Sequence, residues 1–342
     1  MRAGARVSIV KNVRGRLMEK TVTIKGRKFL FRVEDSGSPA DYLKYEELRN
    51  AVWQYPQDNL PGGRNMMCEN FLHDGSSLFI GVFAGDGQLR PSESRGLLVG
   101  FSYGFVGLKN KEAGFRSPRN LQFYSQYNAV RADYRGFDLG IRMKEFQRDQ
   151  VRDVFGIKTI TCTYDPLTAV NAHRNVHHFG MDVLAYQADI YGEFGGLLNR
   201  LDVPRDRLFV SWDLDKGRRK RKADISKWLK SGHLVAETER IRVPGKRGGL
   251  ELEIIREVRP DLDRDVLLLE IPGDFYRMLQ ETDVKDDDVR RIPVDWRLKT
   301  REAFQNLLGK GYRVSEFGGT KRIPRKYFYV LTRARASKSR FG

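Results

Sequence analysis

Residues 131–150, RADYRGFDLGIRMKEFQRDQ, hold a set of groups able to bind a phosphate. They follow the strand-like run LQFYSQYNAV at 121–130 and lead into a helical pattern. A strand that ends at a glycine turn and opens a helix aims unpaired backbone N–H groups at one point, together with the positive end of the helix dipole. Gly136 and Gly140 let the backbone turn tightly and approach a ligand closely. Arg131, Arg135, Arg142, Lys144 and Arg148 add positive charge, against Asp133, Asp138 and Glu145. A pyrophosphate-bearing ligand fits this chemistry, although a turn that only joins strand to helix has the same pattern. Asp138 opposes it. A carboxylate 4 Å from a phosphate charge costs about 1 kcal/mol in water and up to about 4 kcal/mol at a partly buried site. A left-handed backbone there adds roughly 1–2 kcal/mol, unless the side chain caps the helix at Leu139–Gly140 and points away. No GxxxxGK[ST] occurs in the chain, and Gly136 and Gly140 do not complete a GxGxxG, which excludes a P-loop and a dinucleotide fingerprint at this turn.

A second group of reactive side chains lies at 161–193. His173 and His177 stand one helical turn apart, but no third ligand, HExxH or CxxC accompanies them, so no metal is expected. Cys162 falls mid-strand and reads as a buried apolar residue rather than a nucleophile. Asp165, Asp189 and Glu193 are carboxylates able to act as a base, and Asp165-Pro166 is also ordinary turn chemistry.

The elements that must position these groups follow from periodicity. KFLFRV at 28–33 alternates as a strand, and SPADYLKYEELRNAVWQY places Leu43, Leu48, Val52 and Trp53 at helical spacing. SLFIGVFA at 77–84 and GLLVGFSYGFVGL at 96–108 read as strands before 121–130. The helix after the turn directs Ile141, Phe146 and Val154 inward. IKTITCTY at 157–164 is a buried strand, and a helix around AVNAHRNVHHF precedes the strands VLAYQADIY and RLFVSWDL. The order β-α-β-β-β-α-β-α-β-β predicts a mixed sheet with helices against it, an α+β (mixed α/β) class.

NAVRADYRGFDLGIRMKEFQ resembles the acyl-CoA-binding motif of the GNAT acyltransferase superfamily, R/Q-x-x-G-x-G/A after a strand. Arg135 fills the first position and Gly140 the last, while Asp138 replaces the middle glycine. The element order over roughly 28–215 is similar to that fold, and TCTYDPLTAVNAHRNVHHFGM resembles its next strand and helix. The longer string through DIYGEF, with LLLEIPGDFYRML and WRLKTREAFQNLLGKGYRVSEF, is similar to a GNAT subgroup carrying a C-terminal extension. The resemblance implies acetyl-CoA or another acyl-CoA as co-substrate. Its arm would lie between splayed strands 121–130 and 157–164. A backbone N–H near Ala129 or Val130 would polarise the thioester carbonyl, next to Arg131. Arg135 and the amides of Gly136, Phe137, Asp138, Leu139, Gly140 and Ile141 would hold the pyrophosphate, and Asn171 or Asn175 would face the pantetheine. An amine would attack directly, without an enzyme nucleophile. The family's usual tyrosine falls at Val176, which cannot donate a proton. Tyr191, His177, His173 and His178 are the neighbouring groups able to do so, with Glu193 or Asp189 as base.

The net charge of +18 over 342 residues raises a nucleic-acid reading. Residues 1–28 carry nine Lys/Arg against one Glu, RRKRK occupies 218–222, and RARASKSR occupies 333–340, which leaves the remaining body nearly neutral. Such basic segments bind polyanions weakly and without sequence preference, or are simply solvated. Two cysteines without CxxC pairing fit a reducing cytoplasm, and no apolar run spans a bilayer. The expected organisation is a basic arm at 1–27, a GNAT-like domain at 28–216, a basic linker at 217–222, a smaller α+β domain at 223–332 and a basic tail at 333–342. In the last domain, VDWRLKTREAFQNLL forms a helix after a solvated acidic loop DVKDDD. Its Arg297 and Arg301 lie one turn apart, on a solvated face or as a clamp for an acidic substrate. The expected function is N-acetyl transfer to a small-molecule amine. The alternatives are a GNAT-fold acyl-CoA-binding protein without catalysis and a basic nucleic-acid-associated protein.

Overall fold

SLFIGVFA is buried along its whole length, as a central strand must be, and the sheet grows outward from it. The computed structural model describes residues 6–13, 16–34, 40–54, 76–85, 96–191, 196, 198–216, 225–229, 232–259, 261–321 and 325–333. The linker 217–222 and the tail from 334 lie outside these. The chain divides into two compact units, Met1–Cys162 with Asp213–Lys216, and Thr163–Trp212 with Gly217–Gly342.

In the first unit, strands β1 (Arg6–Val13), β2 (Arg16–Ile24), β3 (Arg27–Val33), β4 (Ser77–Gly85), β5 (Leu97–Leu108), β6 (Leu121–Val130) and β7 (Thr159–Tyr164) lie side by side in chain order. All neighbours are antiparallel except β6 and β7, whose parallel pairing makes the sheet mixed. Helices α1 (Ala40–Trp53) and α2 (Leu139–Asp153) flank it. The stretch expected as a basic arm contains β1 and β2. Alternation in KTVTI buries Val22 and Ile24 beside β3, a two-residue period hidden under the charge. In α1 the inward face is Tyr42, Tyr45, Leu48 and Val52; Leu43, expected inward, is 52 % exposed. Tyr45 Oη donates to the buried Glu34 carboxylate (3.1 Å), which Lys44 also meets at 2.8 Å.

The inward face of α2 also differs from the expected one. Leu139, Met143, Phe146, Gln147, Gln150 and Val151 are buried with Lys144, while Ile141 and Val154 are only partly covered. Polar members of the stripe find hydroxyl partners on the sheet: Lys144 Nζ donates to Ser125 Oγ (2.8 Å) and Gln147 Nε2 to Ser102 Oγ (2.7 Å). A search for apolar spacing passes over such residues.

The second unit opens with α3 (Ala169–Ala172), which runs on as a π-turn over His173–His178. The antiparallel pair β8 (Asp182–Gln187) and β9 (Arg207–Asp213) follows. After the short α4 (Ser226–Leu229) come the hairpin β10 (Ala236–Gly245) and β11 (Gly248–Val258), then β12 (Val266–Ile271), α5 (Phe275–Glu281), α6 (Asp287–Gly309), β13 (Tyr312–Gly319) and β14 (Tyr327–Arg333). The last three strands form a sheet in the order β12-β14-β13. Helix α6 starts seven residues before the expected VDW, with Pro293 inside it. The acidic run is its cap: Asp286 accepts from the N–H groups of Asp288 and Val289, replacing the expected solvated loop. Among the described residues no helix is long and apolar enough to cross a membrane.

Every element of the expected β-α-β-β-β-α-β-α-β-β order is present, as β3-α1-β4-β5-β6-α2-β7-α3-β8-β9. Gly104 is among the glycines dictated by close approach. A Cβ on Gly104, at an irregularity of the β5–β6 ladder, would lie 2.4 Å from both Phe123 Cε1 and Tyr124 O. Gly104→Ala should therefore cost about 1–3 kcal/mol, read as a lower urea midpoint at unchanged slope.

Candidate acyl-CoA site

The turn after β6 is built from backbone bonds that all close behind it. Arg131 N–H donates to Val99 O (2.9 Å), Tyr134 N–H to Arg131 O (3.1 Å) and Arg135 N–H to Ala132 O (3.1 Å). Gly136 then takes φ +87° with open space where a Cβ would point. Ile141 and Arg142 N–H both donate to Asp138 O at 3.1 Å, which starts α2. The five N–H groups of Gly136–Gly140 have no acceptor among the described residues. They stand at the N-terminus of a 15-residue helix, where the dipole favours an anion. Buried Leu139 anchors the helix start, and Asn128 Nδ2 ties Gly140 O back to β6 (3.3 Å).

Asp138 sits at φ 56°, ψ 21°, exposed, and its side chain makes no capping hydrogen bond. The capping route that would turn it from a ligand is therefore not taken, and the left-handed strain is present. Sequence reasoning missed the brace under this loop. At the β2–β3 turn, Lys25 Nζ donates to Gly136 O (2.9 Å) and lies 5.4 Å from the Phe137 ring centre. The Arg27 guanidinium lies 5.9 Å from Tyr134 and 5.6 Å from Phe137, and Phe29 meets both rings. The expected basic arm thus supplies structure to the cradle.

Strands β6 and β7 pair only at Phe123↔Ile160 and Tyr124↔Thr161. On its other edge β6 pairs with β5 as far as Gly100↔Val130. Antiparallel residues alternate between facing the partner strand and facing away. The Arg131–Val99 bond puts Ala129 in a pair facing β5, so the N–H groups of Val130 and Asn128 point away from it. Of the two donors expected, Val130 is the one the register leaves available.

In the second unit Tyr191 is 43 % exposed, with Oη 2.7 Å from Thr163 Oγ1 and the Arg207 guanidinium 5.1 Å from its ring centre. His177 Nδ1 lies 2.9 Å from Glu316 Oε1, and the π-turn brings the His173 ring to 4.8 Å from that of His177, tilted by 37°. His178 packs edge-on to Phe179. Asn171 Nδ2 donates to Thr168 Oγ1 (3.0 Å), and its other partners are Arg174 and Tyr276, whose hydroxyl burial and Asp165 push up to about 12. Asn175 is buried. Asp189 is a corner residue rather than a free base: its carboxylate accepts from Arg205 N–H (2.9 Å) and its own N–H donates to Asp206 (3.0 Å). Glu193 lies outside the described residues. Among those, no group of three or more His, Cys, Asp or Glu is placed to hold a metal ion.

Arg297 and Arg301 form neither a solvated face nor a substrate clamp. Arg297 is 1 % exposed and donates to Asp165 Oδ2 (2.5 Å). Arg301 grips fully buried Asp206 through two bonds of 2.9 and 2.6 Å, and Tyr186 Oη donates to the same carboxylate at 2.5 Å. Burial opposes the Asp206 charge, but the Arg301 and Tyr186 hydrogen bonds outweigh it and hold the carboxyl below its usual range.

The order of elements and the brief parallel pairing define a mixed α/β fold of GNAT-like layout. No protein-family model and no curated protein matches the chain. Among solved structures it is similar to NAA60 of Arabidopsis thaliana in complex with a bisubstrate analogue, over 54 % of this chain and 97 % of that one, at 10 % identity and TM-score 0.39. The ribosomal-protein-S18-alanine N-acetyltransferase of Escherichia coli is similar over 56 % and 99 %, at 12 % identity and TM-score 0.38. The ribosomal-protein-S5-alanine acetyltransferase of Vibrio fischeri is similar over 55 % and 94 %, at 12 % and 0.37. At scores of this size the fold assignment rests on element order and strand pairing.

A carboxyl held low in the folded state contributes stability above its unfolded pKa and loses it as pH falls through the folded one. Unfolding midpoints should thus decline below about pH 4. Asp206→Asn should be less stable at neutral pH by about 3 kcal/mol, with Arg301 left unpaired, and its acid decline should be shallower. Thermal scans across pH 2–7 check both.

Proposed function

We propose that this protein is an acyl-CoA-dependent acyltransferase, an N-acetyltransferase moving an acetyl group from acetyl-CoA to an amine of a small molecule. The observation that carries the reading is the run of amides at Gly136–Gly140 with no acceptor among the described residues, shortly after a strand whose Val130 N–H points away from β5. In this reading those amides and the Ile141 turn hold the CoA pyrophosphate, with Arg131 and Arg135 adding charge. Val130 N–H donates to the thioester oxygen as negative charge develops there. The amine nitrogen attacks the carbonyl carbon, the C–S bond breaks, and the CoA thiolate takes up a proton while the amine loses one. No enzyme nucleophile is needed, and Cys162 remains a packed thiol, 5 % exposed.

Tyr191 is assigned the proton delivered to the thiolate, because its phenol is exposed and a neighbouring hydroxyl orients it. His177 is the weaker choice, with Nδ1 engaged by Glu316 and the His173 ring packed against its own. Glu193 keeps the role of base. Asn171 is already satisfied by its own helix and Tyr276, so the pantetheine contact is assigned to Asn175. The cysteine usage supports a cytoplasmic setting. The second reading, a CoA-binding protein without catalysis, is favoured by Asp138 and by buried, apolar Val176 at the position of the family's tyrosine.

Calorimetry should give saturable binding of CoA and acetyl-CoA below millimolar concentration, and its absence from both ligands contradicts the proposal. Asp138→Gly relieves strain and repulsion and should tighten CoA about fivefold; unchanged or weaker binding refutes the repulsion. Tyr191→Phe should lower kcat about 100-fold with CoA affinity intact. Binding of CoA with no thiol release across a broad amine panel selects the second reading.

A further inference from the structure

The hairpin that joins β5 to β6 ends in a loop at 109–120 that the acyl-CoA reading does not use. Its sequence, KNKEAGFRSPRN, holds four cations against Glu112. The loop is closed by its own hydrogen bonds. Buried Asn120 ties it three times: Nδ2 donates to Asn110 O and Gly114 O, both at 2.7 Å, and Oδ1 accepts from Asn110 N–H at 2.9 Å. Asn110 Oδ1 accepts from the N–H groups of Glu112 (2.7 Å) and Ala113 (3.2 Å), and Ser117 Oγ accepts from Arg119 N–H (3.3 Å). Across the base, Lys109 N–H donates to Asn120 O (2.8 Å) and its Nζ to Arg119 O (2.9 Å).

On this frame stands Phe115, 78 % exposed, the most exposed large hydrophobic side chain among the described residues. Leaving that ring in water forgoes the gain of burying it, and the ordered loop keeps it there. Lys111, Arg116 and Arg119 are exposed around it, and their side chains make no ion pair or hydrogen bond among the described residues, with Glu112 included. On α2, by contrast, Arg148 and Arg152 meet Asp149 and Asp153. Cations alone would attract any polyanion, and an exposed ring alone any apolar surface. Together they match a chain that carries phosphates at regular intervals with flat, unpaired bases between them. A duplex hides its base faces in the stack, and an acidic peptide offers carboxylates without regular flat faces.

We propose that the β5–β6 loop is a contact site for single-stranded nucleic acid, with Phe115 stacking on one base and Lys109, Lys111, Arg116 and Arg119 meeting the neighbouring phosphates. Nothing in this set reads a sugar hydroxyl or a base edge, so RNA and DNA strands bind alike with slight sequence preference. The site uses no residue of the acyl-CoA cradle and stands whether or not the chain transfers acyl groups.

The test is fluorescence anisotropy of a labelled oligouridylate of about 12 nucleotides, titrated with the full chain over a range of salt. The basic segments outside the loop also attract polyanions, so the loop variants carry the decision. Phe115→Ala should weaken binding about tenfold with the salt dependence unchanged. Phe115→Leu should weaken it nearly as much, because an aliphatic side chain has no ring to stack. Arg116→Gln combined with Arg119→Gln should weaken binding and lower the log–log salt slope by about 1.4. Oligothymidylate should behave as oligouridylate does, and a duplex of the same length should be indifferent to Phe115→Ala. All three side chains are exposed, so the variants should keep the wild-type unfolding midpoint. Absence of strand binding, or wild-type affinity in Phe115→Ala, overturns the proposal. An equal loss of duplex affinity in that variant would make the loop a general polyanion contact and overturns it too.

Discussion

The first N–H groups of a helix have no acceptor within it, and after β6 the chain leaves those of Gly136–Gly140 without an acceptor among the described residues. Pairing with β7 stops after Tyr124↔Thr161, and the β5 ladder takes only alternate residues. The turn closes its bonds behind itself, so Gly136–Gly140 face outward at the start of α2. The features around this point serve to hold that arrangement. Leu139 fixes the helix start, Asn128 ties strand to helix, and the β2–β3 turn clamps the loop through Lys25 and Arg27. The result is a fixed set of donors that needs little reorganisation to meet an anion. Asp138 works against it both in charge and in backbone conformation.

Much of this was legible in the sequence because it depends on local periodicity. The elements from KFLFRV to RLFVSWDL, the turn at Gly136 and the conflict at Asp138 all follow from residue type and spacing. What was hidden depends on partners distant in the chain. Nothing local distinguishes Ala129 from Val130 as a donor, since that depends on the register set by Val99 and Gly100. Lys144, expected to add charge around the turn, is instead buried against Ser125, and Gln147 is buried against Ser102. The positive charge of the first 28 residues concealed two strands, and Pro293 made α6 read as a shorter helix.

The second unit shows a different economy of charge. Arg200, Arg205 and Arg297 are buried, and the buried carboxylates Asp165 and Asp206 each meet more than one partner. Asp206 joins Arg301, Tyr186 and the Asp189 corner, while Asp165 joins Arg297 to the start of the loop at Leu167. This network ties the corner at Asp189 to Arg205 and, through Asp206, to Arg301 and Tyr186. It also explains why arginines one helical turn apart on α6 resembled a surface clamp: the spacing is that of a face, and only the partners show that the face is inside.

The central claim is that the amides of Gly136–Gly140 and Val130 are the groups that receive CoA. Titrating ¹⁵N-labelled protein with CoA and following the backbone amide resonances tests it most directly. The account predicts that the Gly136–Gly140 resonances move first and furthest, with Val130 responding when acetyl-CoA replaces CoA. Saturable shifts confined to other residues, with these six unmoved, would contradict it.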